Sequence, residues 1–218
     1  MLKLWHCADA RSFRVLWALE ELQLEYELIM LPFPPRFEQR EYLEENPLGT
    51  IPLLVDGDVR MTESAAMLHY LSTRHGAGRL SPAVTDPDYG AYLNWLHHGE
   101  STLTFPQTIY LRYTYLEPGD GGQAKVAEDY KRWFLARLRL LEATLDDGRL
   151  YILGETFSLA DVSVGYAIQF ALSLRMQEDL PPNSLAWYRR LEERSGFQAA
   201  KQKQHEAGMA QNVPHNTY

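Results

Sequence analysis

The chain has a single cysteine, Cys7, among 218 residues, so no disulfide can form within it. That usage fits a reducing compartment. Positive charge is also short: 21 Lys and Arg stand against 29 Asp and Glu, a formal net charge of −8. Phosphate binding needs a basic face, so nucleic acid is not expected as a main partner. No apolar run reaches the ~18 residues that a membrane span requires. Residues 1–10 lack a basic stretch followed by an apolar one, so no signal peptide is read and a cytoplasmic location is the expectation. His97 and His98 have neither a third ligand nor a carboxylate at metal spacing, so no metal is expected.

What is present is a change of pattern along the chain. "LKLWH" (2–6) alternates like a short strand, "SFRVLWALEEL" (12–22) has helical spacing, and "YELIML" (26–31) reads as a second strand. Pro32, Pro34 and Pro35 break the pattern, and "FEQREYLEE" (37–45) reads as a short polar helix or helical turn. "IPLLV" (51–55), Asp56-Gly57 and "VRM" (59–61) read as a hairpin, followed by an amphipathic helix over 62–75. The first two strands flank a helix and should be parallel. Gly, Pro and Asp then cluster over 76–88 as a linker, and every later pattern is helical. "SLADVSVGYAIQFALSL" (158–174) is apolar and small enough to be buried on all sides. The residues after about 208 are polar, and fraying is expected there. The reading is an α/β domain over 1–77 and an all-helical domain over 88–210.

"ENPLGTIPLL" (45–54) poses a problem, because Pro52 stands at the mouth of a buried strand and has no N–H for a ladder. An edge strand would tolerate it. Alternatively the bond is cis, turning the N–H and C=O of Ile51 outward to dock an extended peptide. "TESA" can be read as helix capping by Thr62 or Ser64, or as a site for a ligand carboxylate at a helix start.

Taken together, "NPLGTIPLL", "TESAAMLHYL" and "FSLADVSVGY" resemble the glutathione transferase family over nearly the whole chain. The resemblance implies a thioredoxin-like first domain joined to an all-α second domain. "CADA" after the first strand excludes the dithiol chemistry of C-x-x-C relatives. It further implies that Ile51 and Pro52 pair with the cysteinyl backbone of glutathione and that Glu63 and Ser64 hold its γ-glutamyl end, with Thr50 beside them. Arg36, Gln39 or Arg40 would meet the glycine carboxylate. "SLAD" (158–161) reads as a capping box with a structural role.

The sequence departs from the family at the thiol. In serine- and cysteine-type members the activating residue falls at Asp9, which offers neither hydroxyl nor thiol. An ionised Asp9 facing the sulfur would raise the thiol pKa. Three resolutions stand open. Asp9 may turn away to cap the first helix, leaving Ser12 to donate. Arg11 and the helix dipole may hold the thiolate. Or the chain binds glutathione and transfers poorly. Cys7 could form a mixed disulfide, or be a small buried apolar residue.

The electrophile is expected in the cleft between domains, against Phe105, Tyr110, Tyr113 and Tyr115, which could equally be core or dimer contacts. The function expected is conjugation of glutathione to an apolar electrophile, in detoxification, by a homodimer. The rivals are a glutathione-binding module with little catalysis and a glutathione-disulfide or glutathionyl reductase.

Overall fold

A computed structural model describes residues 1–117 and 121–214. Pro118, and the tail beyond 214, lie outside the described residues. The chain divides into two compact units, the first made of Met1–Ser81 with the segment from Glu192 onward, the second of Pro82–Leu191. The sequence reading kept the chain to residue 210 in the helical domain; by its contacts the last helix belongs to the first unit.

That first unit holds four strands, β1 (Leu2–His6), β2 (Tyr26–Met30), β3 (Leu53–Asp56) and β4 (Val59–Met61), paired in the order β2-β1-β3-β4. β1 is parallel to β2, with Leu4 opposite Leu28, and antiparallel to β3, with Leu4 opposite Leu54. The parallel pair needs a crossover, and α1 (Phe13–Leu22) supplies it. Val15, Leu16, Leu19 and Leu22 are wholly buried on its inner side. The helix stops at Gln23, which takes the left-handed conformation at φ 54°.

Two four-residue helices, α2 (Pro35–Glu38) and α3 (Tyr42–Glu45), stand where one polar helix was expected. Pro35 opens α2, where a missing N–H costs nothing. β3 begins at Leu53 rather than Ile51, because Pro52 brings no N–H to the ladder. Gly57, at φ +57°, turns the β3–β4 hairpin. α4 (Ser64–Tyr70) follows and is prolonged by a wider turn over Leu71–His75. This sheet with its helices is the thioredoxin-like arrangement that the resemblance implies.

The last helix of the chain, running from Ser195 to Ala210, lies along α1. Phe197 meets Trp17 and Phe13 edge-on, at ring-centre distances of 5.0 and 5.4 Å. Arg194 donates twice to Glu21, at 2.8 Å each. Beyond the helix, Gln211 acts on β2 as a further strand would. Its Oε1 accepts from the Met30 N–H at 2.8 Å and its Nε2 donates to the Leu28 carbonyl at 2.9 Å. Where composition suggested fraying, the backbone is tied down as far as this residue.

The second unit is helical: α5 (Tyr89–His97), α6 (Phe105–Leu111), α7 (Gly121–Leu145), α8 (Leu159–Ser173) and α9 (Pro182–Glu192), making the last helix α10. Wider turns over His98–Thr104 and Arg112–Leu116 prolong α5 and α6. α8 is buried on every side from Leu159 to Ala171, as its small apolar residues allow. It approaches the α5 end so closely that a Cβ on Gly99 would stand 2.4 Å from Ser163 Oγ. No helix among the described residues is long and apolar enough to cross a membrane.

"SLAD" forms the capping box at the start of α8. Asp161 is fully buried and accepts from the N–H groups of Ile152 and Ser158, at 2.8 and 2.9 Å, and from the Ser158 hydroxyl at 3.0 Å. Burial outweighs these bonds and pushes its carboxyl up from 3.8 to about 6. A carboxyl raised on folding favours the native state most when protonated, and that contribution fades as pH climbs from 3.8 towards about 6. The stability lead of the wild type over Asp161→Asn, measured by urea unfolding, should therefore shrink across that range. A lead that grows would show the three bonds outweighing burial.

Candidate functional site

The approach to β3 is built from short-range bonds. The Thr50 carbonyl accepts from Asn46 Nδ2 at 2.8 Å and from the Tyr42 hydroxyl at 2.7 Å, both donors being buried. Gly49 stands at φ +60°, where a Cβ would meet Arg36 Cβ at 2.7 Å. Only glycine fits that left-handed position so close to α2. The Ile51–Pro52 bond is cis, as is Phe33–Pro34. Among the described residues, no hydrogen bond uses the N–H or C=O of Ile51. The β1–β3 ladder ends at Leu53, so these two polar groups are left over beside a sheet.

Glu63 and Ser64 stand at the same end of the hairpin, since Leu54 lies opposite Met61 and both strands run on from there. Glu63 is the residue that opens α4, exposed, with no side-chain cap bond. Ser64 is buried and its hydroxyl turns inward, accepting from Arg14 Nη1 at 3.3 Å. Arg14 itself is completely buried. Sequence reasoning passed over it, although an arginine between Phe13 and Val15 on an inward helix face was the available signal. Of the candidate cations, Arg36 is exposed, stacked 4.6 Å over Phe37 and backed against Gly49, which leads to Ile51. Arg40 is exposed and Gln39 half-buried.

After β1 stands Asp9, at φ 54°, with its carboxylate bonded to α10. Oδ1 accepts from Lys201 Nζ at 2.6 Å and from Gln204 Nε2 at 2.9 Å, while its own N–H donates to Gln204 Oε1 at 3.1 Å. The Gln204 Oε1 also meets Nε2 of the buried His6 at 3.0 Å. Ser12 is wholly buried too. Its hydroxyl donates to the Cys7 carbonyl and accepts the Cys7 N–H, both at 3.3 Å, which commits it within the loop rather than to a ligand. Arg11 is half-buried in the same loop. Lys201 and Gln204 were missed because nothing in the sequence says that a helix 190 residues on returns to this loop.

In the second unit Phe105 is half-exposed at 51 %. Tyr110 and Tyr115 meet edge-on with ring centres 6.3 Å apart, and Arg112 lies 5.6 Å over the Tyr113 ring. Burial raises the Tyr110 hydroxyl. Among the described residues no group of three or more His, Cys, Asp or Glu is placed to hold a metal.

Residues 1–73 match the model of the glutathione S-transferase N-terminal domain, and residues 124–190 that of the C-terminal domain. The chain is 30% identical to glutathione S-transferase 2 of Schizosaccharomyces pombe, over 72% of this chain and 70% of that one. It is 32% identical to glutathione S-transferase 4 of Zea mays, over 69% and 68%. Among solved structures, a glutathione S-transferase from Actinobacillus pleuropneumoniae superposes with a TM-score of 0.77 at 26% identity, covering 93% of this chain and 92% of that chain. The chain belongs to the glutathione S-transferase family.

Cys7 is wholly buried, with its thiol 3.5 Å from the Pro32 carbonyl, and burial pushes its pKa strongly up. A buried thiol kept protonated is a poor nucleophile. Alkylation by iodoacetamide at mildly alkaline pH should be slower by orders of magnitude in the native chain than in urea. Equal rates would show that Cys7 is open to a thiol partner.

Proposed function

We propose that this chain is a glutathione transferase that joins the glutathione sulfur to the electrophilic carbon of an apolar substrate. The observation that carries the reading is the pairing of two features at one end of the β3–β4 hairpin. One is the unused N–H and C=O of Ile51; the other is the exposed, uncapped Glu63 at the start of α4. An extended peptide needs the first, and a free α-amino group seeks the second. The glycine carboxylate is assigned to Arg36, with Gln39 beside it and Thr50 next to the peptide. On this reading residues 1–77 bind glutathione, and the aromatic group of Phe105, Tyr110 and Tyr113 in the helical second unit receives the electrophile. Rate is gained by holding both reactants together and by ionising the thiol. The curated relatives of 30% identity and more are themselves named glutathione S-transferases. A cytoplasmic homodimer serving detoxification completes the proposal.

A second reading, a glutathione-binding module with little catalysis, is favoured by one observation: Asp9 and Ser12 are both committed within the protein rather than to a ligand. Titration calorimetry with reduced glutathione, followed by turnover of an aromatic chloride, separates the two. Binding with turnover supports the transferase, and binding without turnover supports the module. No heat at millimolar glutathione overturns both. Glu63→Gln should weaken binding by roughly tenfold or more, since a hydrogen bond to a charged group contributes about 1.5–3 kcal/mol.

A further inference from the structure

We infer that Lys201 of α10 sets the charge at the thiol of bound glutathione by cancelling Asp9, a role that rests on the glutathione reading above. The argument begins with position. Cys7 and Ala10 belong to a buried apolar cluster against which Ile51 packs, so the loop between them, and Asp9 with it, borders the residue assigned to the cysteinyl backbone. A carboxylate at that place opposes a second negative charge on sulfur and holds the thiol in its protonated form.

Lys201 removes that opposition. Its Nζ lies 2.6 Å from Asp9 Oδ1, with the two side chains about a third and a fifth exposed. It is not a loose surface lysine. The ammonium also stands 5.0 Å over the Phe13 ring, in the first turn of α1, and 5.9 Å from the Phe197 ring. Gln204, one turn further along α10, bonds the same carboxylate oxygen. Its Nε2 faces Asp9 Oδ1, so its Oε1 must accept, from the Asp9 N–H and from His6 Nε2. That orientation puts a proton on His6 Nε2. Charged groups on the elements about Asp9 are Arg11 in the loop, Arg14, Glu20 and Glu21 on α1, and Lys201, Lys203, His205 and Glu206 on α10. Arg14 donates to Ser64 and Glu21 accepts from Arg194. Lys201 is bonded to the Asp9 carboxylate itself.

The chemical step concerned is ionisation: the S–H bond of bound glutathione breaks, the electron pair stays on sulfur and the proton passes to solvent. A neutral Asp9–Lys201 pair leaves this step to the donors of the loop and the α1 N-terminus. Either charge alone biases it, and the two biases have opposite sign. Lys201→Met should raise the thiol pKa of bound glutathione by about one unit, cutting the thiolate fraction near neutral pH about tenfold. Asp9→Asn should lower the pKa, and Lys201→Arg should leave it near the wild-type value.

Ultraviolet difference titration of the thiolate on the full chain reads these shifts, with calorimetry of glutathione on each variant alongside. A structural role alone, in which Asp9 and Lys201 merely fasten α10, would move both variants in the same direction. Glutathione bound by Lys201→Met and Asp9→Asn with same-sign or absent shifts overturns the assignment. Wild-type chain that binds no glutathione overturns the underlying reading, and this role with it.

Discussion

One carboxylate joins the two ends of the first unit. Asp9 stands on the loop that leaves the central strand, and its Oδ1 accepts two bonds from a helix at the far end of the chain. A carboxylate partly withdrawn from water costs free energy unless it is bonded. Here the bonds come from a helix the sequence puts last. Everything placed by that loop depends on it: the start of α1, the enclosure of Cys7 and Ser12, and the seat of Ile51 against the cluster formed by Trp5, Cys7 and Leu53. The same helix then supplies Phe197 to the aromatic contacts of α1 and Gln211 to the border of the sheet. The first unit is therefore completed by residues that lie beyond the second.

The loop after β1 carries a charge. A hydroxyl after β1 would be a neutral donor; an aspartate is a charge, and a charge in a partly closed site must be answered. The chain answers it within itself, so the carboxylate anchors α10. Ser64 shows the same economy. Its hydroxyl accepts from the buried guanidinium of Arg14, while the neighbouring Glu63 stays exposed. At the start of α4, one residue serves the interior and the next faces outward.

Local features were readable from the sequence, and for local reasons. The parallel β1–α1–β2 unit, the Asp56-Gly57 hairpin, the all-round burial of α8 and the Ser158–Asp161 capping box follow from spacing of two or 3.6 residues and from turn chemistry. Strand β3 began two residues late because a proline cannot donate, a rule visible in the sequence but not carried through to the boundary. What was not readable was non-local. No periodicity says that Lys201 and Gln204 meet Asp9, or that Arg14 meets Ser64 across about fifty positions. These contacts are chosen by how whole elements pack. The sequence fact behind them, a charge on an otherwise apolar face, states that a partner exists without naming it.

Gln211 carries a consequence for the behaviour of the chain in company. The outermost strand of any open sheet offers a row of donors and acceptors to whatever extended segment passes by, and this invites self-association. Here a primary amide with one donor face and one acceptor occupies the Leu28 carbonyl and the Met30 amide, closing that end of the row without a fifth strand. A chain shortened just before this residue would keep its last helix yet present a bare border, and its solubility, more than its fold, would register the loss.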